Sequence, residues 1–585
     1  MLTARSSIYS FKRKPLENLF YSLCQILKGY DCIMFANKEN VNILTSLIKK
    51  SEIRNAVVCP GSRNAPIVNN LYNLDDIDCH PVTDERSAGF YALGLALATG
   101  QPVVVCVTSG SALLNVLPAV AEAYYQKVPM LVVSADRPVE WIGQNDGQTL
   151  PQADALHPFV VKSVSLPEPE DSIKRWHCNR LVNEALIAMR ADNRPVHINV
   201  PISEPLFDFS VETLPDERLI TLYPSSTDIP RLRQMAMDVF FSSAKPLVVI
   251  GQMEENIARS LPVDKLAEYA VVVSEPLSSC HGITNADEIL SDCCTKEEDL
   301  APDFILYIGG EIVSKRLKRF LRKTKGAKTW RVTDVLEVTD TFMNLDGIVQ
   351  GRAEDVCSCL ADGICHHETA QTEMFRIAWR QASQRWAHRN EIYVPDYSQM
   401  AAVREFERIL STLDNHTFYS FYSNSMPVRL ACLYACHHIG CNRGVNGIEG
   451  CLSTAAGVSL NSSNTYCVIG DLSFFYDQNA LWHRNLNGNL RILLLNNGGG
   501  GIFGRLEGLM KSDAYSLVAA KHECSARGVC MANGVAYRSA HDMETMLSGI
   551  EWLVKEQSDV PMLLEVMTDA DEDNRVLDRY WKVEN

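Results

Sequence analysis

Residues 464–504 read NTYCVIGDLSFFYDQNALWHRNLNGNLRILLLNNGGGGIFG. Two apolar runs, TYCVIG (465–470) and LRILLL (490–495), flank a segment in which a helix is predicted over about 475–487. A strand, a helix and a second strand form a βαβ unit, whose right-handed crossover lays the two strands near each other. Asp471 ends the first strand and Asn497 the second, where open α/β sheets bind their ligands. A carboxylate, an amide oxygen and a bare glycine carbonyl there make an oxygen-only ligand set. Such a set suits Mg2+ or Ca2+ and leaves positions for phosphate oxygens and water. Taken singly, Asp471 reads equally as a helix cap and NNGG as a turn; GD and NN at this separation point to the metal–diphosphate site. Gly499, Gly501 and Gly504 also spell G-x-G-x-x-G, a dinucleotide fingerprint. That fingerprint requires a helix opening in the glycines and a second strand ending in an acid about 20 residues on. The following GLMKSDAYSLVAAKHE (508–523) holds no β-branched strand, so the dinucleotide reading fails.

The same alternation extends along the chain. NAVVCPG (55–61), CHPVTDE (79–85), PVVVCVT (102–108), PMLVVSA (129–135) and PVHINVP (195–201) read as strands, with helices over 86–100 and 111–126 between them. A linker is predicted over 207–230. KPLVVIG (245–251), YAVVVSE (269–275), DFILYIG (303–309) and WRVTD (330–334) repeat the pattern. A polar helical stretch, 371–411, leads to FYSNS (421–425), the quoted segment and PMLLEVM (561–567). The expected fold is α/β, three doubly wound parallel-sheet domains. They are placed at 34–210, 225–365 and 395–585, after an N-terminal extension of residues 1–33, which a minority reading makes a transit peptide. A first helix is expected to follow Met34, with Asn37 as its cap. The first and third blocks match in order. Glu85 precedes SAGFYALGLALATG, Glu449 precedes GCLSTAAGVSL, and each helix is followed by a strand ending in TSGS (108–111) or GDLS (470–473). This suggests a duplicated domain, although two unrelated doubly wound domains would also give the pattern.

At 585 residues the chain exceeds what one core supports. A net charge of −16 argues against general nucleic-acid binding. The longest apolar run (91–108) is broken by Thr99, Gly100, Gln101 and Pro102, so no membrane span is expected. The 19 cysteines lie mostly in apolar segments (Cys59, Cys106, Cys467) and include no C-x-x-C pair, which suits reduced thiols in a cytoplasmic protein. Two clusters, Cys357, Cys359, Cys365, His366 and His367, and Cys436, His437, His438 and Cys441, lack the paired spacing of a structural zinc site.

With GD…NN and the echoing glutamate on the page, the chain resembles thiamine-diphosphate enzymes. The resemblance makes the first and third domains duplicated thiamine-diphosphate-binding folds. It implies Mg2+ (or Mn2+) held by Asp471, Asn497 and the Gly499 carbonyl, with Gly470, Leu472, Ser473 and Ser425 also at the cofactor. It implies further that Glu85, in TDERSAGF, reaches the pyrimidine N1 of a cofactor held by a second subunit. Sharing a proton there favours the imino tautomer that deprotonates the thiazolium C2. Ile448 would wedge beneath the bent cofactor, and Ile502, Phe503 and Leu506 would line the pocket. Without the resemblance these four read as plain core residues.

A finer set of motifs is similar to the synthases of menaquinone biosynthesis that make 2-succinyl-5-enolpyruvyl-6-hydroxy-3-cyclohexene-1-carboxylate. The motifs are CPGSRNAP (59–66), TDERSAGF (83–90), TSGSALLN (108–115), SADRP (134–138), SKRL (314–317), SNSMPVR (423–429), NRGVNGIEG (442–450) and GDLSFFYDQNAL (470–481). The resemblance runs from about Asn37 to the C-terminus. It implies decarboxylation of 2-oxoglutarate and 1,4-addition of the succinyl carbanion equivalent to isochorismate. Arg429 and Arg443 would hold 2-oxoglutarate, and Ser62, Arg63, Arg137, Lys315 and Arg316 isochorismate, since guanidinium forks suit carboxylates. Gln148 matches an active-site glutamine, although the family often has Asn–Gln where this chain has Gly147–Gln148. No histidine falls in the motif positions. A homodimer or tetramer with sites at the subunit interface is implied. The rivals are a pyruvate-specific thiamine lyase, which the arginine set disfavours, and a non-catalytic scaffold, which intact Asp471, Asn497 and Glu85 disfavour.

Overall fold

The computed structural model describes residues 34–220, 234, 239–278, 281–324, 326–335, 337–364, 369–414, 417–505 and 507–582. Residues 1–33, Cys365, His366, His367 and Leu506, all singled out above, lie outside the described residues.

Three sheets form, every strand pairing in them parallel. The first has strands β1 (Asn55–Val58), β2 (Asp78–Pro81), β3 (Val103–Val107), β4 (Met130–Asp136), β5 (Lys162–Ser165) and β6 (Val196–Pro201), in the order β2-β1-β3-β4-β6-β5. The middle sheet has β7 (Pro246–Ile250), β8 (Val271–Val273), β9 (Phe304–Ile308), β10 (Lys328–Thr333) and β11 (Leu345–Gln350), in the order β11-β10-β9-β7-β8. The third has β12 (Tyr419–Tyr422), β13 (Ile439–Gly440), β14 (Thr465–Gly470), β15 (Leu490–Asn496), β16 (Ala536–Ala540) and β17 (Met562–Met567), in the order β13-β12-β14-β15-β17-β16. The third order repeats the first strand for strand, so the echo seen in the sequence is a duplicated topology. Central strands such as β3 and β15 are wholly buried, as continuous apolar runs between two helical layers must be.

The helices that position the site are α1 (Glu85–Thr99), α2 (Leu117–Gln126), α3 (Lys315–Lys323), α4 (Ala370–Ile392), α5 (Gln399–Leu410), α6 (Met426–Tyr434), α7 (Cys451–Ser459), α8 (Asp471–Tyr476) and α9 (Ala570–Trp581). Four expectations are corrected. The crossover helix starts at Asp471 and ends at Tyr476, followed by a 3-10 turn over Gln478–Leu481, rather than spanning 475–487. The first helix begins at Glu39 after Lys38, and Asn37 donates to Asp208 instead of capping it. The helix predicted over 111–126 breaks at Val116 into Ser111–Asn115 and α2. The described part of the supposed linker packs back on the first domain: Phe35 and Val211 form a bridge, and buried Glu217 accepts from Asn179 Nδ2 at 2.8 Å. The polar stretch after the middle sheet is two helices: α4 packs its Phe375, Trp379 and Ala382 on the middle sheet, and α5 packs on the third.

The first and third domains share one apolar core, running from Val57 and Val105 through α1 and α7 to Cys467 and Ile492. Asp84 caps α1 by accepting from Ser87 N at 3.0 Å, and Gly100 ends it at φ 63°. At the α1–α7 crossing, a Cβ on Gly94 would stand 2.1 Å from Thr454 O, and one on Gly457 2.3 Å from Tyr91 O. Each glycine therefore faces the carbonyl one turn upstream of the other. Gly94→Ala is expected to lower the midpoint of thermal unfolding, at a cost of about 1–3 kcal/mol for overpacking. In an unobstructed helix the same change would stabilise by about 1 kcal/mol, so the sign alone reports the close crossing.

Candidate active site

Strands β14 and β15 pair with Gly470 opposite Leu495, which brings Asp471 and Asn497 to adjacent strand ends. Asp471 Oδ1 accepts from Leu472 N at 2.7 Å, and Oδ2 accepts from Gly499 N at 2.9 Å and Asn497 N at 3.2 Å. Burial pushes its carboxyl up, against these backbone donors. Asn497 Nδ2 donates to Asp573 Oδ2 at 3.0 Å, so the nitrogen end of the amide is occupied. Gly498 and Gly499 take φ 76° and 150°, conformations that disfavour any side chain. A Cβ on Gly499 would meet Ala519 O at 2.9 Å. The loop borders a cleft of about 330 Å³, lined also by Tyr515, Lys521, His522, Asp569 and Asp571. The donors are hard oxygens beside an open glycine cradle, which fits a divalent cation carrying a diphosphate. Ile502 and Phe503 continue this loop, half-buried.

The second part of the site is the loop 441–450. Asn424 Nδ2 donates to Gly447 O at 2.7 Å and to Asn442 O, while Asn424 Oδ1 accepts from Arg443 at 3.0 Å. Arg443 is buried and its other arm lies 3.4 Å from Glu311, which also binds Lys318 of α3 at 2.8 Å. Glu122 of α2 accepts from Gly444 N at 2.7 Å and Val445 N at 2.8 Å. Gln252 of the middle domain donates to Cys441 O at 2.8 Å, so all three domains clasp this loop. Ser473 Oγ donates to Ile448 O, tying the loop to α8, yet Ile448 itself is 41% exposed. Ser425, at φ 75°, precedes α6, which carries half-buried Arg429.

The third part lies at the strand ends of the first sheet. Arg137 donates to Ser109 Oγ at 2.8 Å and to Gln148 O at 3.3 Å, and pairs with Asp146 at 2.5 Å. Arg63 donates to Ile202 O at 2.9 Å and pairs with Glu204 at 3.1 Å. Both arginines act on Asp136, whose carboxyl burial pushes up and whose hydrogen bonds and cationic neighbours pull back. Ser62 and Gln148 are exposed beside them, Gln148 at φ 56°. Glu85 opens α1 half-buried; after burial itself, its charge is the next cause holding the Cys59 thiol up, which places it at the end of β1. Its neighbours reach the third domain: Arg86 donates to Tyr476 O at 2.8 Å, and Asn479 donates to Asp84 at 2.8 Å.

Residues 40–156 match the thiamine pyrophosphate enzyme N-terminal TPP binding domain, and 224–408 match the family described as the middle domain of thiamine pyrophosphate. Over 563 residues the chain is 39% identical to a protein of Phocaeicola vulgatus, covering 94% of this chain and 99% of that one. It is 34% identical over 568 residues to a protein of Porphyromonas gingivalis, covering 94% and 97%, and 34% identical over 559 residues to one of Desulfotalea psychrophila, covering 91% and 98%. All three are named 2-succinyl-5-enolpyruvyl-6-hydroxy-3-cyclohexene-1-carboxylate synthase. The chain belongs to that synthase family.

The residues read from the synthase motifs do not all converge. Asp471, Asn497 and Gly499 meet at one loop, and Arg63, Arg137, Ser62 and Gln148 at one set of strand ends. Within one chain Arg316 contacts other residues. Its guanidinium lies over the Trp581 ring at 4.2 Å and donates to Asp287 O at 3.2 Å and to Ser291 Oγ, so stacking and hydrogen bonds hold it in the interface with α9. Lys315, beside it, is exposed at the start of α3, where Ser314 caps the helix by accepting from Leu317 N at 2.9 Å. Two residues escaped the synthase motifs. His522 stands 3.3 Å from Asp471 Oδ2, and Asp573 holds Asn497. Both come from segments remote in sequence, with no local pattern to mark them.

Proposed function

We propose that the chain catalyses the reaction of its synthase family in menaquinone biosynthesis. It would decarboxylate 2-oxoglutarate and add the succinyl unit 1,4 to isochorismate, giving 2-succinyl-5-enolpyruvyl-6-hydroxy-3-cyclohexene-1-carboxylate and CO2. Thiamine diphosphate, when bound, supplies the electron sink that lets a 2-oxo acid lose CO2. Asp471, Asn497 and the Gly499 carbonyl would hold its Mg2+ or Mn2+, with Gly470, Leu472, Ser473 and Ser425 flanking the cofactor. Ile448, Ile502 and Phe503 present apolar surface for its rings. Glu85 would hold a carboxyl proton at the pyrimidine N1.

The observation that carries the reading is buried Arg443, fixed by Asn424 and Glu311 in a loop joined to α8 through Ser473 and Ile448. A guanidinium so fixed suits the carboxylate of a dicarboxylic acid. Arg429 would share that task, with Arg63, Arg137, Ser62, Lys315, Arg316 and Gln148 facing isochorismate. A dimer follows from the same reading, because Tyr125, Val445, Ile448 and Tyr476 are 55%, 41%, 41% and 50% exposed in one chain. Apolar surface of that kind on adjoining segments suits cover by a second subunit. The charge pattern and the thiols suit a cytoplasmic enzyme.

With thiamine diphosphate and Mg2+, CO2 release from 2-oxoglutarate is expected to exceed release from pyruvate, and isochorismate is expected to yield the coupled product. Preference for pyruvate would overturn the substrate assignment while leaving the cofactor reading intact.

A further inference from the structure

Asn497 is a ligand with two unlike ends. Its carboxamide carries an acceptor oxygen and a donor nitrogen, and only the oxygen can meet a cation. We infer that Asp573, on α9, is the positioning residue that turns the oxygen of Asn497 toward the metal; this rests on the reading of Asn497 as a metal ligand. Asp573 Oδ2 accepts from Asn497 Nδ2 at 3.0 Å and from Thr568 Oγ1 at 2.8 Å, and Oδ1 accepts from Gln399 N at 2.9 Å. An ionised carboxylate only accepts, so the nitrogen is the one end of Asn497 it can hold. The carboxylate is itself fixed, since Gln399 opens α5 and Thr568 follows β17. The next residue, Asn574, donates to Gly501 O at 3.2 Å, so α9 grips the glycine loop at two points.

The chemistry sets the outcome of substitution. Asp573→Asn leaves one oxygen where three donors converge. If Gln399 N–H takes that oxygen, the new amide nitrogen faces Asn497, whose own amide turns and offers nitrogen to the cation. Partners behind a metal ligand typically contribute about tenfold to hundredfold in affinity. Asn497→Asp alone opposes two carboxylates and also weakens the site. Combining Asn497→Asp with Asp573→Asn restores a donor–acceptor pair and returns an oxygen to the cation.

The measurement is Mn2+ binding in the presence of thiamine diphosphate, followed by the electron paramagnetic resonance of free Mn2+, beside thermal unfolding of the metal-free protein. Asp573→Asn is expected to weaken Mn2+ binding about tenfold to hundredfold in protein that still folds, its unfolding midpoint lowered by the donor left without an acceptor. The double variant is expected to bind within about threefold of wild type. Wild-type binding by Asp573→Asn, or a double variant no tighter than the weaker single one, overturns the inference. If Asp573→Asn does not fold, the double variant decides: folding with metal bound supports the inference, and failure to fold makes Asp573 a helix anchor only. A wild-type protein that binds no Mn2+ with the cofactor would overturn the metal reading itself.

Discussion

Glu85→Gln is expected to lower kcat about a thousandfold while leaving thiamine diphosphate bound, a loss typical of a positioned proton donor and acceptor. The amide keeps the shape and hydrogen-bonding reach of the carboxyl but cannot exchange a proton. Structural damage is not a competing cause. Asp84, not Glu85, caps α1, so the substitution removes only a favourable first-turn charge. Such a charge contributes about 0.3–1 kcal/mol, too little to unfold a helix buried along most of its length. Steady-state turnover beside a cofactor-binding titration separates the two effects, and wild-type kcat would refute the role.

Asp471→Asn is expected to fail at an earlier step, with Mg2+-dependent cofactor affinity falling by at least about a hundredfold. Outer partners of a metal ligand already reach that size, and on the proposed reading Asp471 is a direct anionic ligand. The loss has a second source in the structure. The Asp471 carboxylate gathers three backbone N–H groups, from Leu472, Asn497 and Gly499. An amide offers one acceptor oxygen, so at least one of those donors would face another donor. Quenching of tryptophan fluorescence by thiamine diphosphate at fixed Mg2+ reads the affinity, and an unchanged value would count against the clamp. The two variants together also test the subunit interface. If Glu85 serves the partner's cofactor, mixed dimers keep one intact site, and co-expression is expected to recover roughly a quarter of wild-type activity. If both residues serve one chain, recovery would be absent.

The central architecture was legible because interior parallel strands are continuous apolar runs. The strands that escaped sequence reading, β5, β11, β13 and β16, are all outermost in their sheets. The burial patterns of β5, β11 and β16 stay partial, as in LDGIVQ, because one side has no neighbouring strand, whereas β13 is buried but only two residues long, too short to show a pattern. The loop that brings Asp471, Asn497 and Gly499 together was legible because these residues follow paired strands directly. Asp573 was not, since its role depends on how α9 packs against the glycine loop. Arg316 marks the limit from the other side: a motif names the residue, but its stacking on Trp581 and its hydrogen bond to Ser291 depend on tertiary packing that no local pattern shows.

The reciprocal glycines of α1 and α7 set how the two halves of the molecule can vary. The atoms opposing Gly94 and Gly457 are carbonyl oxygens, not side-chain tips that could swing aside. Repacking elsewhere on either helix therefore cannot change their register, because the spacing is written in main-chain atoms that every sequence shares. The side chains around the crossing are left free to diverge. One half-molecule could thus come to carry Glu85 and the other the Asp471–Asn497 loop without losing the fit between them.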